Sequence, residues 1–191
     1  MCWVAVDRAI RLATKRSLPA PFGPWTEARN AIYESIHAEF WNDECGHFTQ
    51  CSDNTSVDGA MLLMPLLRFI GATDPRWAAT LDKITETLTD DGMVWRYHED
   101  DGLPGEEGSF TACSFWYVEC LARAGRLHEA HMKFERILSY GNHLGLFAEE
   151  LNPRGEALGN FPQGLSHLAL ISAAFYLDRA LSDGKGGDWQ A

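Results

Sequence analysis

The chain has 191 residues, 46% hydrophobic and 23% charged, a balance that suits a globular fold with a sizeable core and excludes a disordered chain. Sixteen Lys and Arg against 27 Asp and Glu give a formal net charge of −11, which repels phosphate backbones and sets nucleic acid aside as a partner. No apolar run reaches the ~18–20 residues of a membrane helix, and no basic amphipathic stretch suits an anionic lipid surface.

Helical periodicity predicts seven helices. The first covers residues 2–15, and its opening residues Met1 to Arg8 lack the basic leader and cleavage-type end of a secretory signal. Pro24, Trp25, Thr26 and Glu27 open the second, which runs to about Trp41. The third is expected over residues 57–70. Asp74 and Pro75 supply an N-cap and a first-turn proline for the fourth, which ends near Leu88. The fifth spans residues 108–124, Gly125 and Arg126 turn the chain, and the sixth runs over residues 127–140 until Gly141 stops it. Pro162 opens the seventh, which reaches about Leu181. One domain over residues 1–182 followed by a Gly-rich solvated tail over 183–191 is the expected organisation. No segment alternates as a core strand should.

The cysteines are odd in number: Cys2, Cys45, Cys51, Cys113 and Cys120. Their spacings fit neither a disulfide scaffold nor a zinc site, and Cys113 and Cys120, one heptad apart in an apolar stretch, read as buried thiols. A reducing, cytoplasmic compartment is expected.

The connections alternate in length. Those after the third and fifth helices are short, which makes their neighbours antiparallel. Those over residues 42–56, 89–107 and 142–161 are long, and loops of that length are usually functional. In an up-down array the three long loops collect on one face. The third, fifth and seventh helices are apolar nearly all round and are expected to be buried; the second, fourth and sixth are amphipathic and have a wet face. Inner and outer helices therefore alternate, as in an all-α toroid, and seven helices make an arc of such a ring. An open helical array is the plainer alternative.

The long loops are rich in carboxylates and aromatics. Asp43, Glu44, His47, Phe48 and Asp53 lie in the first; Asp90, Asp91, Trp95, Arg96, Tyr97, Glu99, Asp100, Asp101, Glu106 and Glu107 in the second; Phe147, Glu149, Glu150, Asn152 and Arg154 in the third. Aromatic faces stack on sugars, and glycoside hydrolysis needs two carboxyl groups, one acid and one base or nucleophile. The plain reading beside this one is a solvated acidic face, with Glu149 or Glu150 paired to Arg154.

Four segments carry a resemblance. Gly145-Leu146-Phe147-Ala148-Glu149-Glu150-Leu151-Asn152-Pro153, with Gly155-Glu156-Ala157-Leu158-Gly159-Asn160-Phe161-Pro162-Gln163 and Ser166-His167 after it, resembles the base-bearing segment of bacterial family 15 glycoside hydrolases, the glucoamylase and trehalase-like family. Val94-Trp95-Arg96-Tyr97 is similar to the family's substrate-arginine segment, and Gly105 to Phe110 with Cys113-Ser114-Phe115-Trp116 to the loop and inner helix that follow. Met1-Cys2-Trp3-Val4-Ala5-Val6-Asp7-Arg8-Ala9 is similar to a helix of the family. The resemblance implies a partial (α/α)6 toroid, no cofactor or metal, and an α-glucoside substrate cleaved with inversion. By motif, Glu149 would be the general base, Arg96 would bind glucosyl hydroxyls, and Glu107 and Trp116 would wall the pocket. It also implies that the general acid belongs to a stretch before Met1, so that these residues form the C-terminal part of a catalytic domain, hydrolyse α-glucosides poorly alone, and self-associate or pair with the missing part. A remnant that binds sugar or a partner without cleaving it is the second expectation. Metal chemistry finds little support, since His128 and His131 sit on an outer helix, and His167 reads as a satisfied core histidine.

Overall fold

In the computed structural model of the protein, residues 1–99 and 108–183 are described. Glu106 and Glu107 and the tail after residue 183 lie outside them. Helix α1 (Cys2–Lys15) buries Trp3, Asp7 and Ala13 and packs beside α2 (Phe22–Glu39). Asp7 is 3% exposed and pairs with Arg8, with Arg11 at 2.8 Å and with Arg29 at 3.9 Å, so a carboxylate taken out of water is compensated from both helices. Among its residues α2 buries none fully; Ile32 and Ile36 only lean on the core.

The third predicted helix is not continuous. Val57 and Asp58 stay outside it, a 3-10 turn covers Gly59–Leu62, and α3 is only Leu63–Leu66. Two residues explain this. Asp58 caps the turn, its side chain accepting from Ala60 N at 2.5 Å. Pro65 lacks an N–H, and its ring crowds the carbonyl four residues earlier, so a regular α-helix cannot run from Met61 through it. Arg68, at φ 62, then ends the segment.

The remaining helices lie close to their expected bounds. In α4 (Pro75–Leu88) Asp74 accepts from Arg76 N at 2.9 Å, and Trp77, Leu81, Ile84 and Leu88 form the buried stripe. Eleven of the 13 residues of α5 (Thr111–Arg123) are buried, which marks it as the centre of the core. Helix α6 (Leu127–Leu138) buries Ala130 and Ile137 and turns its polar side outward, and α7 (Gly164–Asp183) packs along α5 and α6. Helix α7 is enclosed on one side only: Leu165, Leu168, Ile171, Phe175 and Leu181 are 45–67% exposed. An apolar helix is buried only where neighbours exist, and the described neighbours of α7 lie on one side. No helix among the described residues is long and apolar enough to cross a membrane.

The helices form a toroid-like arc whose long connections are tied to one another. Among the described residues seven strands of two residues each make three small ladders, all in those connections and none a core sheet. In one ladder Ser109–Phe110 pairs with Glu150–Leu151, which pairs with Ala157–Leu158, and Trp95 bridges to Ser109 on the other side. Gly59 N donates to Arg96 O at 2.7 Å, linking the end of the first long connection to the second. The three long loops thus meet on one face, as their alternation predicts.

Candidate active site

Glu149 is seated by backbone bonds before its side chain is considered. Gln163 N donates to Phe147 O at 3.0 Å, Glu149 N to Asn160 O at 2.9 Å, and Thr111 N, at the start of α5, to Glu149 O at 2.9 Å. Phe147 anchors the segment from below, its ring 5.4 Å from Phe115 at 85° and 5.8 Å from His167. His167 accepts from Phe147 N at Nε2, 3.3 Å, and faces Gln163 O with Nδ1 at 2.6 Å, so both ring nitrogens are occupied, as expected of a satisfied histidine. Ser166 Oγ lies 3.1 Å from Ala148 O.

Glu149 is half-buried as a residue, and its Oε2, at an exposed position, accepts two bonds from one residue: Asn160 N at 3.0 Å and Asn160 Nδ2 at 2.7 Å. Gly159 makes this approach feasible. Its φ is +67, and a Cβ there would stand 2.8 Å from Oε2. Any L side chain would meet both a strained backbone and the carboxylate. Glu150 turns the other way, its Oε2 accepting from Gly108 N at 3.1 Å. Among the described residues neither glutamate forms an ion pair with Arg154, so the surface-pair alternative is not what the fold adopts.

The Arg96 segment runs along the same ladder. Trp95 and Leu151 flank Ser109 on opposite edges of one ladder, which puts the Arg96 and Glu149 segments two strands, or roughly 10 Å, apart. The Arg96 side chain is exposed, and its guanidinium carbon stands 5.3 Å from the centroid of the Tyr97 ring. Asp58 lines a hollow of about 430 Å3 with Met1, Phe40, Met61, Met64 and Phe69. Burial pushes its carboxyl above the usual range, against the opposing pull of Ala60 N and the Arg96 guanidinium. The Cys113 thiol, in the first turn of α5, is pushed up to about 12 by burial. Trp116 is half-buried and lies farther along α5, about 7–8 Å of helix below Thr111. Glu107 lies outside the described residues.

The fold thus brings the Arg96 and Glu149 segments together at the start of α5, with Trp116 deeper on the same helix. Sequence reasoning missed Asn160 and Asp58. Asn160 lies inside the quoted Gly159–Gln163 segment, but nothing in its spacing says that it folds back on Glu149.

The family described as "Glycosyl hydrolases family 15" matches residues 1–175. A trehalase of Mycobacterium tuberculosis is 45% identical over 184 residues, covering 94% of this chain and 27% of the relative. A trehalase of Thermoplasma volcanium is 40% identical over 183 residues, covering 95% of this chain and 29% of the relative. The chain therefore spans less than a third of the length of these relatives. Among solved structures, a glycosidase in complex with glucose superposes with a TM-score of 0.74 at 21% identity, over 85% of this chain and 47% of that one. A wild-type glycosidase superposes with a TM-score of 0.72 at 22% identity, over 83% of this chain and 46% of that one. At such identity these superpositions establish the fold alone.

Proposed function

Because the chain belongs to glycosyl hydrolase family 15, we propose that it forms the base-bearing part of an inverting α-glucosidase site, with Glu149 as general base and Arg96 binding glucosyl hydroxyls. The observation that supports this reading best is the carboxylate of Glu149, fixed by Asn160 on the loop face that also carries Arg96. Trp116 and Glu107 are assigned to the pocket wall. Trehalose is the first α-glucoside to test, since the curated relatives carry that activity in their names.

In the proposed reaction a water molecule gives a proton to Glu149 while its oxygen attacks the anomeric carbon. The glycosidic C–O bond breaks, and the leaving oxygen takes a proton from a second carboxyl group on the opposite side of the ring. Acid and base must stand apart with room for water, so Glu149 cannot fill both roles. The second carboxyl is assigned to a stretch outside these 191 residues. Made alone, they are accordingly expected to cleave α-glucosides very poorly or not at all, and to self-associate through the open face of α7 or pair with a polypeptide that carries the acid.

A hybrid tests this: the chain replaces the matching stretch of the Mycobacterium tuberculosis trehalase. The hybrid should hydrolyse trehalose, and Glu149→Gln should lower kcat by about 100-fold or more. Full turnover by the Glu149→Gln hybrid would remove Glu149 from the role of base. Calorimetric binding of trehalose without any turnover by the parent hybrid would favour a non-catalytic sugar-binding remnant.

A further inference from the structure

We infer that Asn160 is a positioning residue that locks Oε2 of Glu149 and leaves Oε1 as the oxygen presented to the nucleophilic water; this rests on the reading of Glu149 as base. A carboxylate offers four lone-pair directions on two oxygens, and free rotation about its last side-chain bond would exchange them. Here one residue makes three bonds to the glutamate. Asn160 O accepts from Glu149 N, and Asn160 N and Nδ2 both donate to the same oxygen, Oε2. Thr111 N holds the Glu149 carbonyl from the other side, so the backbone from which the side chain springs is fixed as well.

Two donors on one oxygen define the plane of the carboxylate and oppose its rotation. Among the described residues no donor is placed on Oε1. The side-chain atom facing a carboxylate oxygen must be the NH2 group of the amide, since an amide oxygen there would repel it. An amide suits the task for a second reason: it orients the base without adding a charge or a titratable proton beside it. Gly159 completes the seat, because a Cβ at that position would press on Oε2 from 2.8 Å. The proton taken from water therefore goes to Oε1, while Oε2 keeps its two N–H partners through the step.

Two measurements test this. In NMR spectra of the 191-residue chain, one Nδ2 proton of Asn160 should exchange slowly and should become fast-exchanging in Glu149→Ala. Fast exchange in the unaltered chain, or slow exchange that survives Glu149→Ala, would show that the bond does not exist in solution. In the trehalase hybrid, Asn160→Ala should lower kcat about tenfold or more with KM changed less than about twofold, and Asn160→Ser should recover part of the loss. An unchanged kcat, or kcat and KM moving together, overturns the positioning role. If Glu149→Gln leaves turnover intact, the base assignment fails instead. The exchange experiment still decides the bond itself, because it needs neither the hybrid nor turnover.

Discussion

Helices α5 and α7 are both apolar on nearly every side, and they run against one another over much of their lengths. In α5 eleven of 13 residues are buried; in α7 five large apolar side chains remain 45–67% exposed. The inner face of α7 behaves as α5 does: Ala169, Ala173 and Leu177 are buried, and Ser172 Oγ donates to Glu119 Oε2 at 2.6 Å. Glu119, 2% exposed, is also paired with Arg123 at 2.6 Å, and the Arg123 guanidinium lies 3.8 Å over the Tyr176 ring. The contrast teaches that all-round apolarity tells where a helix can be enclosed. Whether it is enclosed depends on what lies beside it.

Substitutions on the two helices should separate these faces. Phe115 has no exposed surface and touches Phe134 and Phe147, so Phe115→Ala should cost roughly 3–5 kcal/mol in chemical denaturation. A cost comparable to that of a surface change would break the claim that α5 is the enclosed centre. On the inner face of α7, Ser172→Ala removes one donor from a buried carboxylate and should cost about 1.5–3 kcal/mol by the same measurement. On its outer face, Leu168→Gln and Ile171→Gln should each change stability by less than about 0.5 kcal/mol. The same pair should reduce the expected self-association, measured by light scattering, because contiguous apolar patches of several hundred Å2 are uncommon on soluble monomers. If both outer-face changes destabilise the chain as strongly as Ser172→Ala, the face is covered in solution and the contrast is lost.

Much of the helical order was legible from the residues. The Asp74-Pro75 start, the Gly125 turn and the apolar run of α5 each depend on chemistry within a few positions, which is the range over which sequence patterns act. The third helix departs from its pattern because the apolar periodicity continues through Pro65, while the proline and the Asp58 cap divide the backbone there. The ladders escaped notice because strands of two residues leave no alternation to detect. At the site, the carboxylate pair stood out in its apolar setting, but the partner of Glu149 did not. Asn160 reaches it only because the loop between them doubles back, with Gly155 and Gly159 at positive φ.

By itself the sequence determined that the chain is helical, that its helices alternate between apolar and amphipathic, and that its long loops carry the carboxylates. These follow from local backbone preference and from the 3.6-residue period with which side chains meet water or core. The tertiary structure alone decided which apolar face is covered, where Arg96 and Glu149 stand relative to one another, and which oxygen of Glu149 is held. Those are relations between segments distant along the chain. They are set by how helices pack and how loops pair across them, and no local pattern encodes a partner that arrives from elsewhere in the fold.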